Sequence, residues 1–197
     1  MTKNSAYTLM FAISILGSFI LIVSTLSKNE FVTAEQQKYE DAHTKIQEAW
    51  KGKSLQLPTE LYNTMTNEKV DLLSKIQNSK KKYTLISYLD GECSSCVHDL
   101  KKWEALVKKH PTFEEKLDIE FLITSGDIEL LKYQVYDQAK SSFIFLWDKS
   151  NTFKPINKIS DLKAYQTFLI KDNKIVFVGS PIRGEFYIEK LQEVITN

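Results

Sequence analysis

The chain has 197 residues, 43% of them hydrophobic and 12% aromatic, which is enough for one ordinary domain and an appendage. Its 26 basic side chains stand against 25 acidic ones for a formal net charge of +1, so bulk charge favours neither a nucleic-acid partner nor a strongly acidic substrate. No internal repeat or low-complexity tract interrupts it.

Thr8 through Leu26 carries no charge and, at about 1.5 Å per residue, spans roughly 28 Å as a helix, the thickness of a bilayer core. Lys3 and the terminal amine precede it, which keeps the N-terminus in the cytoplasm and exports the rest. A cleavable signal peptide has an apolar region of about 7–15 residues and a small-x-small cleavage site. Val23-Ser24-Thr25-Leu26-Ser27 is not such a site, so residues 1–27 read as an uncleaved membrane anchor that meets the lipid bilayer over 8–26. From 28 to 53 the residues Phe31, Ala34, Tyr39, Ala42, Ile46 and Trp50 recur at three- to five-residue spacing among charged ones, the pattern of a helical linker. Gly52 and Pro58 punctuate its end, and a folded domain is expected over 54–197. Leu55–Tyr62 reads as an N-terminal strand or hairpin, confined to a sheet edge by its proline, and Val70–Ile76 as a short helix. Lys80-Lys81-Lys82 reads as a solvated approach to the next strand.

Lys82 to Leu89 is a run of β-branched and aromatic residues that ends in a turn at Asp90-Gly91, after which Glu92-Cys93-Ser94-Ser95-Cys96 begins a helix. These are the only two cysteines in the chain. Unpaired N–H groups and the positive end of the macrodipole stabilise a thiolate at a helix start, holding its pKa below the ordinary value of about 8.5. Cys93 is thus the expected nucleophile, and Cys96, one turn further in, the resolving thiol. A static disulfide closing so small a loop would restrain the unfolded chain little. A closed zinc site needs four ligands, and no second Cys-x-x-Cys is present, although His98 lies two residues past Cys96. Redox exchange is the use these residues fit, and it requires neither a metal nor an organic cofactor.

Leu100, Trp103, Leu106 and Val107 give the following helix a buried stripe, and His110-Pro111 ends it. Leu117–Thr124 is the next strand, Asp127–Tyr136 a helix, Phe143–Trp147 a short strand and Asn151–Leu162 a polar loop. Thr167-Phe168-Leu169-Ile170 and Ile175-Val176-Phe177-Val178-Gly179 are then joined by the polar turn Lys171-Asp172-Asn173-Lys174 as a hairpin.

The order strand, Cys-x-x-Cys, helix resembles the thioredoxin-like superfamily, and the Thr167–Pro181 hairpin is similar to that of membrane-anchored, redoxin-type bacterial thiol-disulfide oxidoreductases. The resemblance covers roughly Leu55 to Asn197. It implies an α/β thioredoxin-like fold, a central mixed sheet flanked by helices, here behind an N-terminal transmembrane helix. It also implies a protein of the inner (cytoplasmic) membrane whose domain lies in the periplasm or outside, with an electron donor in the membrane or periplasm on one side and oxidised exported proteins on the other. Thioredoxin-like proteins carry a cis-proline before the T-F-L-I strand that helps grip a partner's backbone. Tyr165 or Gln166 stands at that place here and is expected in a trans peptide, since a cis bond at a non-proline residue costs about 2.5–4 kcal/mol. In redoxin-type reductases an acidic residue follows the second cysteine by three, as Asp99 does here. On a helix such a residue shares a face with Cys96 and can take its proton. The alternative for Asp99 is a solvated carboxylate in the first or second turn that suits the dipole.

Glu92 stands where thioredoxins have tryptophan, and a carboxylate beside Cys93 opposes the helix dipole, which points to a reductant rather than an oxidase. Two other functions compete. A peroxiredoxin-like peroxidase needs Thr or Pro seven residues and Thr or Ser three residues before its cysteine, and an activating arginine; Ile86 and Asp90 occupy those positions, and the only arginine is Arg183, far along the chain. A non-catalytic thioredoxin-fold binding module is the other, supported by the missing proline.

Overall fold

Tyr83-Thr84-Leu85-Ile86-Ser87-Tyr88-Leu89 is buried at every position, which only a strand covered on both faces can be. In the computed structural model, which describes residues 37–91 and 95–196, this strand (β2, Tyr83–Asp90) lies inside a six-stranded sheet. The others are β1 (Leu61–Asn63), β3 (Leu117–Thr124), β4 (Phe145–Asp148), β5 (Thr167–Lys171) and β6 (Lys174–Val178), in the spatial order β1-β4-β3-β2-β5-β6. β2 runs parallel to β3, with Tyr83 opposite Leu117 and Asp90 opposite Thr124, and β3 runs parallel to β4. β5 is antiparallel to β2, with Ser87 opposite Thr167, and β6 and β1 are antiparallel to β5 and β4. The sheet is therefore mixed, as expected.

The chain divides into two compact units, 1–45 and 46–197. Of the first, residues 37–45 are described and are helical; the helix (α1, 37–50) ends in the second unit. The expected anchor over 8–26 lies outside the described residues, and among those described no helix is long and apolar enough to cross a membrane. Gly52, at φ +80, ends α1 with the left-handed residue that helices favour there. Its N–H donates to the Ile175 carbonyl at 2.8 Å, and Ile175 N–H donates to the Lys53 carbonyl at 2.8 Å. Gln47 adds side-chain bonds to both backbone groups of Val178. Residues 47–53 thus cover the open edge of β6, where exposed backbone would otherwise invite pairing with another chain.

Alternate residues of β2 feed two cores. Tyr83, Leu85 and Leu89 face one built with α3 (Ser95–Lys109), α5 (Ile128–Lys132) and α7 (Glu185–Thr196), while Ile86 and Tyr88 face the other, with α2 (Leu72–Gln77), α6 (Phe153–Asn157) and the end of α1. The stripe Leu100, Trp103, Leu106 and Val107 is buried, as its spacing predicts. Trp103 meets Phe121 edge-on at 5.2 Å, and Trp50 packs on Phe168 at 5.1 Å. β3 occupies the predicted residues Leu117–Thr124, and Asp127 caps α5, which continues into a π-helical stretch at Tyr133–Gln138. Buried Glu120 on β3 has its carboxyl raised above 4.5 by burial, partly offset by Lys75 at 2.7 Å.

Four segments differ from the sequence expectation. The polar stretch 151–162 is no simple loop: Asp148, fully buried, accepts from Thr152 N–H at 2.8 Å and Phe153 N–H at 2.7 Å and so starts α6, which is anchored by buried Phe153. A five-residue helix with one apolar anchor leaves no periodicity to read. α4 (Thr112–Lys116) follows directly after Pro111, whose fixed φ suits a helix start, and Phe113 holds it down. The strand expected within Leu55–Tyr62 is only the edge piece Leu61–Asn63, with Tyr62 bridged to Lys69, because Pro58 cannot donate to a ladder. Lys81 is not a solvated charge; its ammonium donates to the carbonyls of Glu114 and Leu117 and sits 3.4 Å from Asp118.

Candidate functional site

The site begins where β2 runs out. Gly91 N–H donates to the Thr124 carbonyl at 2.8 Å, and a Cβ at Gly91 would lie 2.5 Å from that same oxygen and 2.9 Å from Leu131 Cδ1. Only glycine lets the chain turn this close to β3, so the approach to the cysteines is pinned by backbone. Gly91→Ala is expected to lose about 1–3 kcal/mol of stability in a denaturant titration. Stability equal to wild type would show that the turn tolerates displacement.

Glu92, Cys93 and Ser94 lie outside the described residues. Cys96 falls in the first turn of α3, at the junction predicted for it. His98 is exposed, and among the described residues no group of three or more His, Cys, Asp and Glu side chains is placed to hold a metal.

Asp99, three residues after Cys96, is buried, which removes the reading of a solvated carboxylate near the helix start. Two cations from distant segments meet it. The Arg183 guanidinium, on the single turn Pro181–Arg183 after β6, donates to Asp99 Oδ2, and Lys163 Nζ, in the turn before β5, lies 3.8 Å from the same oxygen. These two segments are themselves tied, since Ser180 N–H donates to the Ala164 carbonyl at 2.8 Å and Gly179 N–H to the Thr167 carbonyl at 2.9 Å. Helix α3, the approach to β5 and the exit from β6 therefore converge on one carboxylate. Arg183 lies 84 residues from Asp99 in the chain, so no local spacing points to the pair. Its singularity in a chain otherwise supplied with lysine is the available signal, because a planar guanidinium suits a buried carboxylate better than an ammonium does.

Tyr165 and Gln166, the residues standing at the place of the cis-proline, are both 8% exposed. Tyr165 packs in the second core against the Tyr187 ring at 6.2 Å. Gln166 donates from Nε2 to the Ser160 carbonyl at 2.9 Å, while its own carbonyl accepts from Tyr88 N–H at 2.9 Å. No peptide among the described residues is cis. Gln166, Asp99, Trp103, Arg183, Ser87 and Thr167 line a cavity of about 10 Å³. That is room for at most one water molecule, so any larger reactant meets this site from outside. Buried donors Trp103 Nε1 and Arg183 Nε have no hydrogen-bond partner among the described residues.

No protein-family model matches the sequence, and no curated protein does. The fold does have solved counterparts. The thioredoxin domain of a thiol-disulfide oxidoreductase from Bacteroides vulgatus superposes with a TM-score of 0.54 at 18% identity, covering 74% of this chain and 97% of that one. A thiol:disulfide interchange protein from Bacteroides sp. gives 0.52 at 17% identity, with 75% and 91% covered. A thioredoxin-like protein from Porphyromonas gingivalis gives 0.50 at 19% identity, with 73% and 94% covered. With its mixed sheet and flanking helices, the chain has the thioredoxin-like fold.

Proposed function

We propose that this chain is a membrane-anchored thiol-disulfide oxidoreductase that reduces disulfides of exported proteins through Cys93 and Cys96. What supports the reading is the chain order: Cys93 follows a central strand by three residues, and Cys96 falls in the first turn of a fifteen-residue helix, in a thioredoxin-like fold. The Cys93 thiolate attacks a partner disulfide, forming a mixed disulfide and expelling one partner thiolate. Cys96 then attacks Cys93 Sγ, releasing the second partner thiolate and leaving the Cys93–Cys96 disulfide, so two electrons have passed to the partner. Asp99 takes the Cys96 proton in that second step, from its place one turn along the same helix. A thiol donor in the membrane or periplasm returns the electrons.

Charge-free Thr8–Leu26 behind Lys3 supports an anchor over 1–27 in the inner membrane, with a linker over 28–53 and the domain, 54–197, on the periplasmic or outer side. Glu92 beside Cys93 supports the reducing direction. The test is an equilibrium redox titration of the full-length protein in detergent, read by thiol alkylation. A reversible two-electron couple at or below roughly −200 mV is expected; a clearly higher potential would make the protein an oxidant or isomerase, and a pair that does not titrate would leave a binding module.

A further inference from the structure

A second concave feature lies at the same end of the sheet. The carboxyl ends of β2, β3 and β4 and the start of α6 enclose an open cleft of about 520 Å³, a size that accommodates several side chains. Tyr88 and Thr124 line it with hydroxyls 3.2 Å apart, and Asp90 lines it too. Lys149, Lys154 and Lys158 come from the segment 149–158, which forms one wall.

This wall is built rather than mobile surface. The Asp148 cap and buried Phe153, whose ring lies 6.0 Å from Tyr88, fix the segment that carries all three lysines. Lys158 ends α6 with φ 52, a left-handed position where glycine or asparagine is the usual residue. Lys154 is held by Asp161 at 2.6 Å, on the exposed rim. Lys149 lies 5.9 Å from the centre of the Tyr62 ring, and neither it nor Lys158 has an ion pair with a carboxylate among the described residues. A chain that is nearly neutral in bulk thus concentrates positive charge on one wall of one cleft.

Asp90 lines the cleft, and Cys93 follows it in the chain by three peptide units, a covalent reach of at most about 11 Å between Cα atoms. We propose that this cleft receives an acidic segment of the partner polypeptide, next to the disulfide being exchanged. The identification of the occupant as the redox partner rests on the exchange reading above; the preference for carboxylates rests on the cleft alone. Lysines along one wall raise the local concentration of an acidic segment and align it beside Cys93 before any bond changes.

The test uses reduced full-length protein in detergent and three synthetic disulfide peptides with the same cysteine core, flanked by Glu, Ser or Lys. At low salt the Glu peptide is expected to react roughly 10-fold or more faster than the Lys peptide, with the gap closing towards 1 M salt. The double variant Lys149→Glu/Lys158→Glu should invert the order of the Glu and Lys peptides, and a denaturant titration matching that of the wild type reports that it is folded. Equal rates for the three peptides, or an unchanged order in the variant, overturns the proposal. A labelled Glu peptide without cysteine, followed by fluorescence anisotropy, separates the cleft from the chemistry. If none of the peptides exchanges, the dithiol reading fails. Binding of this probe to wild type and its loss in the variant still support the cleft, and absence of binding removes it.

Discussion

Cys96→Ser is expected to accumulate a covalent adduct with its partner, and Cys93→Ser to form none and to lose exchange by several orders of magnitude. The asymmetry follows from the order of the pair. Attack by Cys93 needs only the thiolate that the helix terminus favours, whereas release needs a second sulfur one turn further along, and serine cannot supply it. The readout is the intact mass of the non-reduced protein after incubation with an oxidised exported protein or a disulfide peptide. An adduct in Cys96→Ser that vanishes with dithiothreitol supports the mechanism. Adduct formation by Cys93→Ser instead would make Cys96 the nucleophile, and adducts in neither variant would leave the pair without a role in exchange.

The same experiment bears on direction. A reductant starts from the dithiol, so the adduct forms between reduced Cys96→Ser and an oxidised partner; an oxidant would trap reduced partners only when the protein's own pair is intact and oxidised. Glu92 tips the expectation to the first case, because a carboxylate next to Cys93 disfavours the thiolate that a strong oxidant must stabilise.

The elements that position this chemistry were legible because each is written in a local pattern. β2 is a continuous apolar run, α3 has a three- and four-residue stripe, and the β5–β6 hairpin is announced by Asp172-Asn173, both of which take positive φ in the structure. What was not legible depends on contacts distant in sequence. α6 exists because Asp148 caps it and Phe153 reaches the Tyr88 face of the sheet, and nothing within residues 151–162 says so. The edge of β6 is covered by residues 47–53, which lie more than a hundred positions away in sequence. Asp99 was found from its offset to Cys96, but not its burial or its partners, because Arg183 follows the last strand and Lys163 precedes the one before it. Composition also averaged away the lysine wall of the cleft, since a near-zero net charge is silent about where the charges sit.

Arg183→Met should cost about 3–5 kcal/mol, towards the lower end because Lys163 remains 3.8 Å from Asp99. Asp99 is only 4% exposed at its side chain and Arg183 23%, so removing the guanidinium strands a carboxylate where water cannot replace it. Asp99→Asn keeps the shape, removes the charge and should cost less. In the Asp99→Asn/Arg183→Met double variant the arginine substitution should cost far less than in the wild-type background, which a cycle of denaturant titrations measures directly. An Arg183→Met cost that is the same in both backgrounds would mean that the side chain acts through packing of its stem and not through the pair. Function separates from stability in the single Asp99→Asn variant. If the carboxylate accepts the Cys96 proton, release of the mixed disulfide slows by about 10²–10⁴ while the initial attack by Cys93 keeps its rate. Should both steps slow together, Asp99 would be holding the helix to the β5 and β6 segments through Lys163 and Arg183 rather than moving a proton. The convergence of three segments on one buried carboxylate makes both roles physically available, and the two rate constants tell them apart.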